Sequence, residues 1–189
     1  SAHDLGWLGY FVGGNTCLKK LHLQEDPFRD FSYNGIESFF SGVNRNRSIQ
    51  EIRFCQMDLP GRGIFPSLSP FLEGNHNLSQ LGVACCRFGA GSARQLSSML
   101  RGCDRSLKSV ALTNNQIGGE QLADVIEALS THTQLEELGF WWAAIGRNEC
   151  TALAALLRMT PELQTLNLNG NDIDDEGVDA LAGALTNSN

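Results

Sequence analysis

Four histidines, six cysteines and 21 acidic residues are the groups in this 189-residue chain that could move protons, attack a substrate or hold a metal. Their spacing assembles none of these. His3, His22, His76 and His132 fall in unrelated segments, with no HExxH-like grouping to set two imidazoles and a carboxylate on one helix face. The cysteines at 17, 55, 85, 86, 103 and 150 lack the paired spacing of a zinc site and the density of a disulfide scaffold. They read as reduced thiols, mostly small apolar fillers, in a cytoplasmic protein. Gly13-Gly14 and Gly118-Gly119 are turns without the Lys-Ser/Thr partner that a phosphate loop needs. Asp172, Asp174, Asp175 and Glu176 sit where a helix begins, and there the dipole favours acids, so they read as capping groups rather than a cation site. No catalytic residue, metal site or cofactor is expected.

Composition narrows the classes further. A chain that is 42% hydrophobic can bury a sizeable core. A net charge of -7 argues against a nucleic-acid partner, which would need clustered Lys and Arg to displace counterions. No run approaches the roughly 20 apolar residues of a membrane span, and no signal peptide is visible. The chain begins at Ser1 rather than Met and reads as a processed or excised piece.

What must position the remaining side chains is a repeat. The phrase LxxLxL, with conservative replacements, occurs as Leu18-Leu21-Leu23, Ile49-Ile52-Phe54, Leu78-Leu81-Val83, Leu107-Val110-Leu112, Leu135-Leu138-Phe140 and Leu163-Leu166-Leu168. Its starts at 18, 49, 78, 107, 135 and 163 are 31, 29, 29, 28 and 28 residues apart. Each phrase is followed by apolar residues at helical period, as in Ile36-Phe39-Phe40-Val43, Leu122-Val125-Ile126-Leu129, Cys150-Leu153-Ala154-Leu157 and Val178-Leu181-Ala182-Leu185. The last apolar residue falls six positions before the next phrase, as Val43 does before Ile49, except in the third unit, whose Gly102–Ser106 loop holds one extra residue. Each unit is thus a short strand and a helix that cannot bury its stripe alone, so units must stack. The expected fold is α/β: one solenoid over residues 1–189, a curved horseshoe segment with a parallel sheet on the concave side and helices on the convex side. Residues 1–17 form a partial N-terminal helical unit carrying Leu5, Leu8 and Val12.

Stretches such as LNLNGNDIDDEGVDALAGAL (Leu166 to Leu185) and ALTNNQIGGEQLADVIEAL (Ala111 to Leu129) resemble ribonuclease-inhibitor-type leucine-rich repeats, from about Asp4 onward. The resemblance implies Asn or Cys three residues past each phrase, satisfying backbone groups in the turn. The positions are Asp26, Met57, Cys86, Asn115, Ala143 and Asn171; Cys86, Asn115 and Asn171 match, Met57 and Ala143 do not, and the second and fifth turns are less defined in shape. Pro60, Pro66 and Pro70 predict only a short second helix, starting near Phe65 or Ser67. The family includes ribonuclease inhibitors, small-GTPase activators, innate-immune sensor regions and cytoskeletal caps, so the resemblance implies a protein partner without choosing one.

In a strand of this phrase the first, fourth and sixth positions face the core, and the third, fifth and seventh face the concave surface. The third column reads Lys20, Glu51, Gln80, Ser109, Glu137, Thr165; the fifth His22, Arg53, Gly82, Ala111, Gly139, Asn167; the seventh Gln24, Cys55, Ala84, Thr113, Trp141, Asn169. Gly82, Ala84, Ala111 and Gly139 make a floor of small residues beside Trp141 and Trp142, the kind of exposed aromatic that anchors interfaces. The expected partner site is Trp141, Trp142, Arg53, His22, Thr113, Asn167 and Asn169. A competing reading folds Trp142, or both Trp141 and Trp142, over the strand rim to cover the neighbouring turn, where Ala143 in place of Asn leaves space. A Cys55–Cys85 link would need register and side-chain direction to cooperate. Arg87, Arg94, Arg101 and Arg105 gather positive charge on the convex side, read as a solvated helix face.

The function expected is a non-catalytic scaffold that binds a protein through its concave surface. The alternatives are a subunit or fragment of a larger assembly contacting by its convex helices or open ends, or a small-GTPase activator. No polar cap follows Leu185, which predicts that the array continues, or docks on another chain, beyond Asn189.

Overall fold

The computed structural model describes residues 2–61, 63–88, 90–103, 105–115 and 117–186. Asn189, where continuation was expected, and the side chain of His3 lie outside the described residues. Helices and strands alternate: α1 (Ala2–Gly14), β1 (Lys20–Gln24), α2 (Tyr33–Val43), β2 (Glu51–Cys55), α3 (Ile64–Gly74), β3 (Gln80–Ala84), α4 (Ala90–Gly102), β4 (Ser109–Thr113), α5 (Glu120–Leu129), β5 (Glu137–Gly139), α6 (Arg147–Met159), β6 (Thr165–Asn167) and α7 (Asp175–Leu185). The strands pair in parallel in chain order, β1 to β6, and the sheet does not close. Register follows the repeat, with Lys20, Glu51, Gln80, Ser109, Glu137 and Thr165 side by side in one column.

Phrase positions one, four and six supply the core: Ile49, Ile52 and Phe54, or Leu107, Val110 and Leu112, are at most 1% exposed. The helical quartets of α2, α5 and α6 close the core from the other side. In α7 the same quartet is different, because Val178 and Leu185 are more than half exposed. No described helix packs beyond α7 to cover them. In α1, Leu5 is buried but Leu8 is exposed, and the face turned to α2 is completed by Gly9 and Gly13. The two helices approach so closely that a Cβ on Gly9 would lie 2.3 Å from the Phe39 carbonyl oxygen, and one on Gly42 would lie 2.2 Å from the Gly9 carbonyl carbon.

The expected short second helix is a correction: α3 runs 11 residues. Pro66 is its third residue, where a backbone N–H has no intrahelical partner to lose. Pro70 does remove one bond, and burial of Ile64, Phe65, Leu68, Phe71 and Leu72 outweighs it.

Two polar ladders tie the units together. In the turns leaving the strands, Asn115 donates to Val83 O (2.8 Å) and accepts from Cys86 N (2.9 Å), while Asn171 donates to Phe140 O (2.6 Å) and Leu168 O (2.7 Å). Asn171 also accepts from Ala143 N and Ile145 N, so it holds the turn in which Ala143 stands. The Cys86 thiol lies 3.3 Å from Ala84 O, and burial pushes its pKa up to about 11, the state of a hydrogen-bonding filler rather than a nucleophile. The second ladder sits where helices hand over to strands. Asn46 donates to Val12 O and Asn15 O, Asn75 to Ile49 O, and His132 Nε2 lies 2.9 Å from Leu100 O, each about one repeat earlier in the chain, whereas Thr160 donates to Leu156 O of the helix it ends. These residues stand three positions before their phrases, at the same point in each repeat.

Candidate functional site

The outward columns of the sheet enclose one trough of about 630 Å³. Its floor is Gly82, Ala84, Ala111 and Gly139, all half-buried, with backbone that a partner can approach. His22 and Arg53 line one end, and Thr113, Trp141 and Asn167 line the other. Trp141 is 44% exposed and is held at the strand end because its carbonyl accepts from Asn114 N at 2.7 Å. Trp142 and Asn169 do not line the trough.

Backbone geometry accounts for Trp142. The residue directly after each outward seventh position lies at positive φ: Glu25 (60°), Gln56 (53°), Cys85 (53°), Asn114 (49°), Trp142 (51°) and Gly170 (72°). This left-handed residue bends the chain out of the strand and turns its side chain away from the column. The Trp142 ring then lies on the next left-handed turn, so close that a Cβ on Gly170 would meet its ring carbons at 2.6 Å. The ring lies against that turn yet stays 66% exposed, more than Trp141.

At the cationic end, an interaction that column reading alone does not reveal emerges. Glu51 points to the concave side yet is only 2% exposed, because three neighbours close over it. Its carboxylate meets Lys20 Nζ at 2.7 Å, His22 Nε2 at 2.8 Å and Arg53 Nε at 2.5 Å. Burial raises its pKa, but the hydrogen bonds from Lys20 and His22 and the charge of Arg53 outweigh burial and hold it below the usual carboxylate range. Lys20, His22 and Arg53 keep half or more of their own side-chain surface exposed. The stem of Arg53 lies over Gly82, where an added Cβ would come within 2.9 Å of its Cγ. Any larger residue there would displace Arg53. The signal for this cluster was in the sequence as the adjacency of Lys20 to Glu51 and of His22 to Arg53 in neighbouring columns.

Other sequence features fall outside the trough. Asp174 caps α7 by accepting from Gly177 N (2.9 Å), and Arg147 pairs with both Asp174 (2.8 Å) and Glu176 (2.5 Å). The hydrogen bonds from Arg147 and Gly177 lower the Asp174 pKa. On the convex side Arg101 approaches Glu127 at 3.9 Å. Cys55 and Cys85 are half-buried free thiols. Among the described residues no group of three or more His, Cys, Asp or Glu could hold a metal, and no helix is long and apolar enough to cross a membrane.

Comparison with known proteins agrees with the register. The Leucine Rich repeat family model matches residues 103–120 and 161–182. The chain is 26% identical over 169 residues to the ribonuclease inhibitor of Sus scrofa, covering 89% of this chain and 36% of that protein. The repeats are leucine-rich repeats of the ribonuclease-inhibitor type. The array is also 26% identical over 144 residues to the NACHT, LRR and PYD domains-containing protein 13 of Homo sapiens, covering 76% of this chain and 14% of that protein. It thus spans little more than a third of the inhibitor and a small part of the NACHT protein. Among solved structures, the leiomodin-1 actin-binding site 2 superposes with a TM-score of 0.59 at 19% identity, over 82% of this chain and 88% of that one. The tropomodulin C-terminal domain of Caenorhabditis elegans superposes with a TM-score of 0.53 at 12% identity, over 100% and 93%. At such identities the likeness is one of fold.

Proposed function

We propose that this leucine-rich repeat array is a non-catalytic scaffold that binds a protein partner in its concave trough, with Trp141 as the anchor. The observation that carries the reading is a half-exposed tryptophan standing beside a floor of small residues in a trough of about 630 Å³. Such a floor lets a partner backbone approach, and a rigid aromatic at its edge offers large contact area at low entropic cost. His22, Arg53, Thr113 and Asn167 supply the polar contacts, and Asn169 lies at the far margin. A protein partner also fits the names of the relatives: one inhibits ribonuclease, and the leiomodin segment is an actin-binding site. The test is Trp141→Ala combined with Arg53→Ala in a capture experiment with the natural host extract. Loss of the captured protein supports the trough, and unchanged capture overturns it.

A second reading has its own observation. Trp7, Leu8, Tyr10 and Phe11 on α1 and Val178 and Leu185 on α7 are each more than half exposed, so both ends of the array present apolar surface. Capture that survives the trough substitutions but fails with Trp7→Ala and Phe11→Ala would move the interface to the N-terminal end.

A further inference from the structure

The trough is electrically polarised along its length. Over β1 and β2, Lys20, His22 and Arg53 surround Glu51; with one carboxylate cancelling one cation, Lys20 and Arg53 leave this cluster positive even with His22 neutral, while Glu25 stands past the end of β1 beside Gln24. Over β5, Glu137 lines the trough and is held by the Ser109 hydroxyl at 3.0 Å, with no cation described on it. Among the described residues, only Nε of Arg53 is engaged, by Glu51, and its terminal amino groups have no partner. Those two groups can take a second carboxylate end-on, one oxygen on each. In a chain of net charge -7, whose other basic side chains include Arg94 and Arg101 on α4, a cationic cluster on the sheet gives the trough a preference for acidic ligands.

We propose that the trough takes an extended acidic segment of a partner protein, laid across the strands, with a carboxylate on Arg53 and His22 and an apolar side chain over the small floor against Trp141. This rests on the concave reading and adds the chemistry and spacing of the ligand. Arg53 on β2 and Trp141 beyond β5 are three strands apart in one direction and two residues in the other. At about 4.8 Å per strand and about 3.3 Å per residue the separation is about 16 Å, which an extended chain covers in about five residues. The segment is therefore acidic at one end and neutral or basic at the end over Glu137, with Asp or Glu placed four or five residues from Phe, Leu or Trp.

Fluorescein-labelled nine-residue synthetic peptides, each with one Glu and one Phe at separations from one to seven, can be titrated against the full chain by fluorescence anisotropy. The expected result is tightest binding at a separation of four or five, at least tenfold weaker binding when Lys replaces Glu, and weakening as salt rises. Arg53→Gln, checked for folding by circular dichroism, should abolish the preference for Glu over Lys while Trp141→Ala weakens every peptide. A flat separation series, or Lys peptides that bind as well as Glu peptides, would overturn the proposal. Loss of binding with Trp141→Ala but indifference to Arg53→Gln sinks the acidic-segment idea and leaves the concave reading standing. Indifference to both substitutions sinks both. A single-stranded oligothymidine that competes at equal concentration with the best peptide would also overturn it, by marking the site as a general polyanion groove.

Discussion

At the scale of single residues, Glu51 governs the cationic end of the trough. Its folded pKa is depressed, because contacts with Lys20, His22 and Arg53 outweigh the burial that alone would raise it. A depressed carboxylate stabilises the fold above its unfolded value, near 4.3 for Glu, and that contribution is lost as pH falls through the folded value. Glu51→Gln should therefore cost about 1 to 3 kcal/mol at pH 7, since it leaves Lys20 and Arg53 facing each other without their counterion. The difference between the two proteins in urea melts should shrink as pH drops below about 4.5, because the native residue is itself then becoming neutral. A difference that persists unchanged to pH 3 would mean that Glu51 acts by packing alone. The columns that bring these residues together could be written from the spacing of the phrases, whereas the burial of Glu51 could not: an outward position reads as exposed until the reach of three long side chains is known. For Trp142 the sequence offered both an exposed anchor and a fold over the strand rim, and could not choose, since period two along a strand says nothing of the left-handed residue that ends it.

At the scale of elements, helix α1 joins the array by small residues rather than by a leucine stripe. Gly9 and Gly42 let the backbones of α1 and α2 touch, and their replacement by any side chain forces the helices apart. Gly9→Ala is expected to destabilise α1 by about 1 to 3 kcal/mol, an overpacking cost that no flexible side chain can absorb because the obstacle is the Phe39 carbonyl. Hydrogen exchange should show lost protection over Ala2–Gly14 while Ser109–Thr113 exchanges as before. Uniform loss across the chain would show that α1 is part of one cooperative unit with the centre. The existence of this helix was legible from Leu5 and Val12, but its contact face was not, because glycine leaves no mark in a hydrophobic pattern. The converse holds for α3, where three prolines argued for a short helix and their positions, Pro60 before it and Pro66 in its first turn, did not enforce it. Asn46, Asn75, His132 and Thr160 stand at one distance before four of the phrases, but a pattern of apolar residues does not single them out, and for the first three only the carbonyl partners about a repeat earlier explain a buried polar residue there.

At the scale of the whole molecule, among the described residues each strand packs on the neighbouring strands and each helix on the neighbouring helices of the stack, and on none more distant. Stability in such an array is close to a sum over units and the interfaces between them, so a unit flanked on both sides is held twice and a terminal one once. The core reflects this: Leu112 is 1% exposed, whereas Leu163, Leu166, Leu168 and Leu181 in the last unit are only half-buried. Leu112→Ala should thus cost about 2 to 5 kcal/mol and lower the main unfolding transition, because it opens a cavity lined from both neighbouring repeats. Leu166→Ala removes atoms that solvent already reaches, and about 1 to 2 kcal/mol is expected. Its effect should appear as early exchange of β6 and α7 rather than as a shift of the central strands, since the preceding interfaces remain intact. Equal costs at the two positions, measured by urea melts with hydrogen exchange on both variants, would contradict nearest-neighbour stacking. They would instead show an array that folds as a single block, in which the exposed faces of α1 and α7 contribute no local weakness for a docking partner to relieve.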